Sequence, residues 1–236
     1  MKARCLTVDI GPSEFGRAWQ LQRYLWQARL EGKLDDLLIF TEHHPTYTIG
    51  RGGDEAHLLA EEEELRGKGV TLYRIDRGGD ITYHGPGQLV GYPILDLSAL
   101  YKDIHRYLRE LEKALIMTMT DFGLEARQVP GLTGVWVKER KLASIGIRVS
   151  RWVTMHGFAL NVATDMAFFR DIIPCGIWGK EMTSMAELLG VELPLHQVAE
   201  RFTINFGEVF GREMIKVAVD NLVGVQREEG ANVPGP

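Results

Sequence analysis

Residues 77–88 read Arg77-Gly78-Gly79-Asp80-Ile81-Thr82-Tyr83-His84-Gly85-Pro86-Gly87-Gln88, with four glycines and one proline in twelve positions. Apolar, strand-like runs lie on either side, at residues 70–75 and 89–95. Glycine permits positive φ and lets a ligand approach the backbone closely. The chain is therefore expected to run strand, irregular glycine-rich segment, strand. Two readings of that segment stand: a pair of tight turns in an antiparallel sheet, or a cradle for a small molecule. The interleaved Arg, Thr, Tyr, His and Gln favour the cradle, because turns seldom carry so many different hydrogen-bonding side chains.

A chain of 236 residues has room for one large domain or two small ones. No low-complexity linker divides it and no internal repeat is visible. One α/β domain over residues 1–222 is expected, with residues 223–236 as a flexible C-terminal tail. The net charge of −5 and the lack of clustered Lys and Arg argue against nucleic-acid binding. Two cysteines, Cys5 and Cys175, are too few for a disulfide framework. No apolar run approaches the ~20 residues that span a bilayer, and the N-terminus lacks the apolar core of a signal peptide. The expected setting is a reducing cytoplasm, away from membranes.

Residues 6–10 are expected as a first strand. Ser13 then caps a helix over 14–29, where Ala18, Leu21, Leu25 and Ala28 recur at helical spacing. Leu37-Leu38-Ile39-Phe40 reads as a buried strand, and residues 42–53 as a loop bordering the cradle. The best amphipathic helix covers 100–122, with Ile104, Tyr107, Leu111, Leu115 and Met119 in one stripe and Gly123 as its stop. Residues 133–162 read as an antiparallel meander of three strands. A short helix over 165–170, a loop over 171–177, a helical turn at 184–189 and a helix over 194–210 complete the chain.

Cys175 stands in Pro174-Cys175-Gly176, outside any apolar stripe, with Trp178 and Lys180 following as at a pocket rim. Free cysteine is as often a small buried hydrophobe, and that reading suits Cys5 in its strand. A nucleophilic Cys175 needs a cation beside it, since the thiolate is the reactive form and positive charge favours it. Lys141, opening Lys141-Leu142-Ala143-Ser144-Ile145-Gly146, is one candidate; these residues alone do not rank it above Lys138 or Arg140. The small Ser144 and Gly146 are expected to leave room for a ligand. His43 and His44 invite a metal, yet no Cys or further His stands at a ligand spacing, so no metal is expected.

The stretch 77–88 resembles the Arg-Gly-Gly-x-x-Thr-Tyr-His-Gly-Pro-Gly-Gln signature of the octanoyltransferases of lipoate biosynthesis. The likeness covers residues 70–97 and 133–178, in the family's order. It implies a biotin/lipoate protein ligase-like catalytic domain, α/β, with mixed, largely antiparallel sheets covered by helices. It implies transfer of an octanoyl group from octanoyl-acyl carrier protein to a lysine of a lipoyl domain. The acceptors would be lipoyl domains of 2-oxoacid dehydrogenase complexes and the glycine cleavage H protein. Lys141 and Cys175 match the family's catalytic pair. Acyl binding falls to Arg77, Gly78, Gly79, Asp80, Ile81, Thr82, Tyr83 and His84, to Ser144, Ile145 and Gly146, and to Gly157, Phe158 and Ala159. Ile145 and Phe158 stand where the family often has Leu, so they bear on pocket width and chain-length preference. Because the thioester carries the energy, no cofactor is implied.

In the implied mechanism the Cys175 thiolate attacks the thioester carbonyl, and the lipoyl-domain amine then takes the octanoyl group as an amide. Oxyanion donors are expected from the N–H groups of Gly78 and Gly79. His84 either orients Lys141 or binds substrate. Lys138, Arg140, Arg148 and Arg151 are expected to form a basic patch for acidic partners. Three rivals remain. An ATP-dependent lipoate or biotin protein ligase would adenylate a free acid and leave Cys175 idle. A cysteine thioester hydrolase would use Cys175 with His84 or His156 and release octanoate to water. A non-catalytic binder of acylated partners would survive loss of Cys175.

Overall fold

Leu37-Leu38-Ile39-Phe40 is apolar at every position because the strand it belongs to is covered on both faces. The protein is described here by a computed structural model, which covers residues 2–173 and 181–223. Its main sheet takes β1 (Ala3–Ser13), β2 (Asp36–His43), β6 (Gln88–Ile94), β7 (Ala126–Val129), β8 (Leu132–Val137), β9 (Arg140–Ser150), β10 (Val153–Asn161) and β11 (Arg212–Lys216). Their order is β11-β1-β2-β6-β10-β9-β8-β7. A second sheet, β4-β3-β5, is built from β3 (Thr46–Ile49), β4 (Thr71–Arg74) and β5 (Ile81–His84). Pairing is antiparallel except for β1 with β2 and β11, and β3 with β4. The mixed, largely antiparallel α/β architecture expected above is therefore the one observed.

Helix α1 (Phe15–Leu30) covers one face of the main sheet, packing Leu25 towards Leu37, Ile39, Val90, Tyr92 and Ala159. Helices α3 (Ile104–Asp121) and α5 (Leu195–Val209) cover the other, where Leu111, Leu115, Phe202 and Phe206 meet Leu38, Phe40, Phe158 and Leu160. Short helices α2 (Glu62–Gly67), α4 (Met185–Leu189) and α6 (Val219–Val223) fill the connections. Among the described residues no helix is long and apolar enough to cross a membrane.

Several expectations are corrected. Ser13 does not cap α1: it ends β1, where its hydroxyl pairs with Thr41, and Glu14 holds the cap position without a side-chain bond. The helix expected from residue 100 begins at Ile104, because the Asp103 carboxylate accepts the Arg106 N–H and so caps it there. The loop expected over 42–53 contains β3, whose Thr46 to Ile49 are all buried. Strand β5, inside the segment expected to be irregular, and strands β7 and β11 were not foreseen. β11 is polar in sequence and is anchored by charge: Asp36, 3% exposed, takes Arg212 at 2.8 Å and Arg29 of α1 at 2.8 Å. The expected tail lies outside the described residues from 224 onwards.

Candidate active site

Successive side chains on a strand point to opposite faces. In β9 and β10 this puts Ser144, Gly146 and Ala159 on the α1 side, with Ala159 in register between Ser144 and Val90 of β6. That row of small residues floors a slot. Phe15 of α1, Tyr92 of β6, Ile81, Thr82 and His84 of β5, and Arg77, Gly79 and Asp80 of the glycine-rich loop complete its walls, with His156 and Gly157. The slot gathers most of the residues that the resemblance assigned to acyl binding.

Two of them play a different part from the one expected. Phe158 and Ile145 border the slot, but their side chains belong to the opposite face. The Phe158 ring lies 4.5 Å from that of Phe202 in α5. The side chains that face into the slot at this point are those of Ser144 and Ala159, and pocket width is expected to follow them more than the Leu-like positions. Ala159→Leu is expected to shift acyl preference towards chains shorter than octanoyl, read as kcat/KM across a thioester series. Phe158→Leu should leave that preference unchanged and cost about 1 kcal/mol of stability. A preference that follows Phe158 would refute the assignment.

The loop docks onto β9 through its backbone. Gly78 N–H donates to Ile147 O at 2.8 Å, and a Cβ on Gly146 would stand 2.8 Å from Gly78 O. Gly146 is thus small because a backbone crosses it, not to leave room for a ligand. The Gly78 N–H is committed to this contact, so of the two expected oxyanion donors only Gly79 is left. Arg77 locks the loop from inside: its buried guanidinium donates to Thr48 O at 2.6 Å, Thr48 Oγ1 at 2.9 Å and Gly78 O at 3.0 Å. Tyr83 turns away from the slot, stacking on Phe168 at 4.6 Å in the core of the small sheet.

His84 is buried, and its Nδ1–H donates to Gln88 Oε1 at 2.9 Å, leaving Nε2 to face Thr48 Oγ1 at 3.3 Å. His43 donates Nδ1–H to Ser13 O at 3.1 Å and accepts from the Tyr92 hydroxyl at 2.6 Å. Desolvation holds both imidazoles below the usual histidine range, His43 down to about 4. His156 holds a left-handed backbone (φ 61°) and bonds Asp76 at 2.7 Å; burial also lowers it, against the pull of that carboxylate.

A chain of bonds runs from His84 towards Lys141. Gln88 Nε2 donates to Asn161 Oδ1 at 2.9 Å, and Asn161 Nδ2 to Thr183 O at 3.1 Å. Thr183 N–H in turn donates to Lys141 O at 3.0 Å. Among the described residues, His84 is joined to Lys141 through this framework. Lys141 is 5% exposed and its ammonium lies 5.5 Å from the centroid of the Trp136 ring. Its own N–H donates to Glu181 O at 2.9 Å. Cys175 lies outside the described residues; the chain before it is tied by Ile173 N–H to His57 O at 2.8 Å.

His57 is the residue the sequence reading passed over. Its Nδ1 meets Asp80 Oδ2 at 2.5 Å while its backbone O accepts the Ile173 N–H, so one residue links the cradle to the chain at Ile173. A lone His in a polar stretch carries no local signal of this. Cys5, by contrast, is fully buried and its thiol is pushed far up by desolvation, which makes it a core residue as expected. The expected basic patch divides. Arg140 pairs with Glu187 at 3.4 Å, whereas Arg148 pairs with Asp76 at 2.8 Å and, with Arg151, lies over Trp26. Eight residues along β9 separate the two arginines by roughly 26 Å. Among the described residues no group of three His, Cys, Asp or Glu side chains is placed to hold a metal ion.

Residues 15–207 match the family model of the lipoyl protein ligase A/B catalytic domain. An octanoyltransferase of Solibacter usitatus is 48% identical over 211 residues, covering 89% of this chain and 95% of the relative. Another, from Christiangramia forsetii, is 44% identical over 223 residues, covering 87% and 95%. In fold, a lipoate-protein ligase A bound with ATP superposes with a TM-score of 0.75 at 17% identity, covering 97% of this chain and 94% of that one. A biotin protein ligase from Aquifex aeolicus, in complex with biotin and ATP, reaches 0.53 at 12% identity, covering 88% and 70%.

Proposed function

This chain belongs to the lipoyl protein ligase A/B catalytic-domain family, and we propose that it works as an octanoyltransferase carrying its acyl group on Cys175. Its relatives are octanoyltransferases, and in this reading the reaction serves lipoate biosynthesis, with an acyl donor and a lipoyl-domain protein as acceptor. The donor in this reading is octanoyl-acyl carrier protein. The acceptors are lipoyl domains of 2-oxoacid dehydrogenases and the glycine cleavage H protein, met in the cytoplasm.

The observation that carries the reading is the slot itself. Its floor is made of small residues on adjacent strands in register, and its lining brings together Arg77, Thr82 and His84 from the first motif block with Ser144, Gly157 and Ala159 from the second. An unbranched acyl chain suits a narrow slot lined by Phe15, Ile81, Val90 and Tyr92. In the first step the Cys175 sulfur forms a bond to the thioester carbonyl carbon and the donor thiolate departs. In the second, the acceptor lysine amine attacks the new thioester, an amide forms and Cys175 regains its thiol. Lys141 favours the thiolate in the first step and moves the amine proton in the second. Gly79 N–H is the remaining loop donor for the oxyanion.

Intact mass after incubation with octanoyl-acyl carrier protein, without ATP, tests this. One octanoyl adduct is expected, absent in Cys175→Ala, that moves to an added lipoyl domain. Modification of the domain only from free octanoate and ATP would establish a ligase. Decay of the adduct to octanoate at one rate with or without the domain would establish a hydrolase.

A further inference from the structure

A carboxylate with no aqueous exposure sits in α3. Glu112 is 0% exposed, on the helix face that packs against β7 and β8. Burying an ionised carboxylate is costly unless it is hydrogen-bonded and near a cation. Its Oε1 accepts the Gly134 N–H at 2.9 Å, and its Oε2 accepts from Arg109 Nη1 at 2.6 Å.

Gly134 is what connects this carboxylate to the site. It has φ 124°, and a Cβ placed on it would stand 2.6 Å from Lys141 Cε and 3.3 Å from Lys141 Nζ. The end of the Lys141 side chain therefore lies directly against the Gly134 backbone, and Glu112 holds that backbone from the other side. Lys141 is near enough that its charge acts on the Glu112 carboxyl, together with Arg109 and the Gly134 N–H, against the upward push of burial. A buried acid in a helix core is otherwise only a liability to stability.

We infer that Glu112 is a positioning residue for Lys141: by clamping the Gly134 N–H it fixes the wall against which the Lys141 ammonium lies. The inference rests on Lys141 acting in the first step of the proposed transfer.

The test is the single-turnover rate of octanoyl adduct formation from octanoyl-acyl carrier protein, with thermal melting of each variant as the check on folding. Glu112→Leu removes the acceptor and is expected to slow the step by about 100-fold, the scale of a 1 Å misplacement. Apparent affinity for the donor should stay within about threefold. Glu112→Gln still offers an oxygen to Gly134 and should recover most of the rate. In a Lys141→Ala background, Glu112→Leu should slow the step by less than about twofold, because the two act as one unit. Wild-type rate in a folded Glu112→Leu, losses that multiply in the double variant, or no recovery with Gln would each overturn the inference. An unchanged Lys141→Ala, or no adduct on the wild type, would place the failure in the underlying reading instead.

Discussion

Lys141→Ala is expected to lower kcat for octanoyl transfer by about 10³-fold, within the range for loss of a positioned proton-transfer group. Several observations support so large an effect from one side chain. Lys141 is 5% exposed, so water replaces it poorly. Its backbone is held on both sides, by Glu181 O and Thr183 N, and those residues resume the chain just beyond the segment that carries Cys175. Lys141→Arg separates its two roles. The guanidinium keeps a positive charge for the thiolate but is not deprotonated in proteins. Adduct formation should therefore survive in part while transfer to the lipoyl domain stalls, and the octanoyl enzyme should accumulate in intact-mass spectra. Transfer by Lys141→Ala within a few-fold of wild type would remove Lys141 from the mechanism.

Stability should fall steeply between pH 6.5 and 4. In the unfolded chain a histidine takes up its proton near 6.5. Folded His43 resists until about 4, since protonation would put a charge in a site that is 1% exposed. A depressed folded pKa gives stability that is complete above the unfolded value and is lost as pH falls towards the folded one. For His43 the separation corresponds to about 3 kcal/mol, at 1.36 kcal/mol per pH unit. His84 and His156, both lowered by burial, add loss of the same sign. Glu112 works the other way near the bottom of the window, because burial raises it. Asp76, lowered by its bond to His156, enters only below the usual Asp range. Against a typical domain stability of 5–15 kcal/mol, the His43 share alone is large. Urea midpoints at pH 7.5 and 5.0 read the first part of it, about 2 kcal/mol, and His43→Gln should flatten the slope. An equal midpoint at both values would mean that these histidines are solvated in the folded state.

How the chain divides between what was legible and what was not follows the range of the forces involved. The doubly apolar Leu37–Phe40 run, the stripe of α3, the Gly123 stop and the three-strand meander were readable because each is set by neighbours within a turn or a strand pleat. Which face a strand residue takes is periodic, but which face is the slot is not. Phe158 and Ile145 border the slot, but only the packing of α5 on β10 shows that their side chains turn to the core. The same holds for Gly146, whose smallness looked like space for a ligand until the Gly78 backbone was seen crossing it.

By itself the sequence determined the long helices and the central strands, the α/β class and, through the residues of the 77–88 block and of 141–161, the family to which the chain belongs. Only the tertiary structure decided that Gln88 and Asn161, the last residues of the two motif blocks, are bonded to each other. It alone tied His57 to Asp80 and set Glu112 behind Gly134. These contacts join positions 22 to 73 residues apart. Periodicity and propensity act over a few residues along the chain, whereas a hydrogen bond requires only that two groups be brought within about 3 Å, and it is the packed sheets that bring them there.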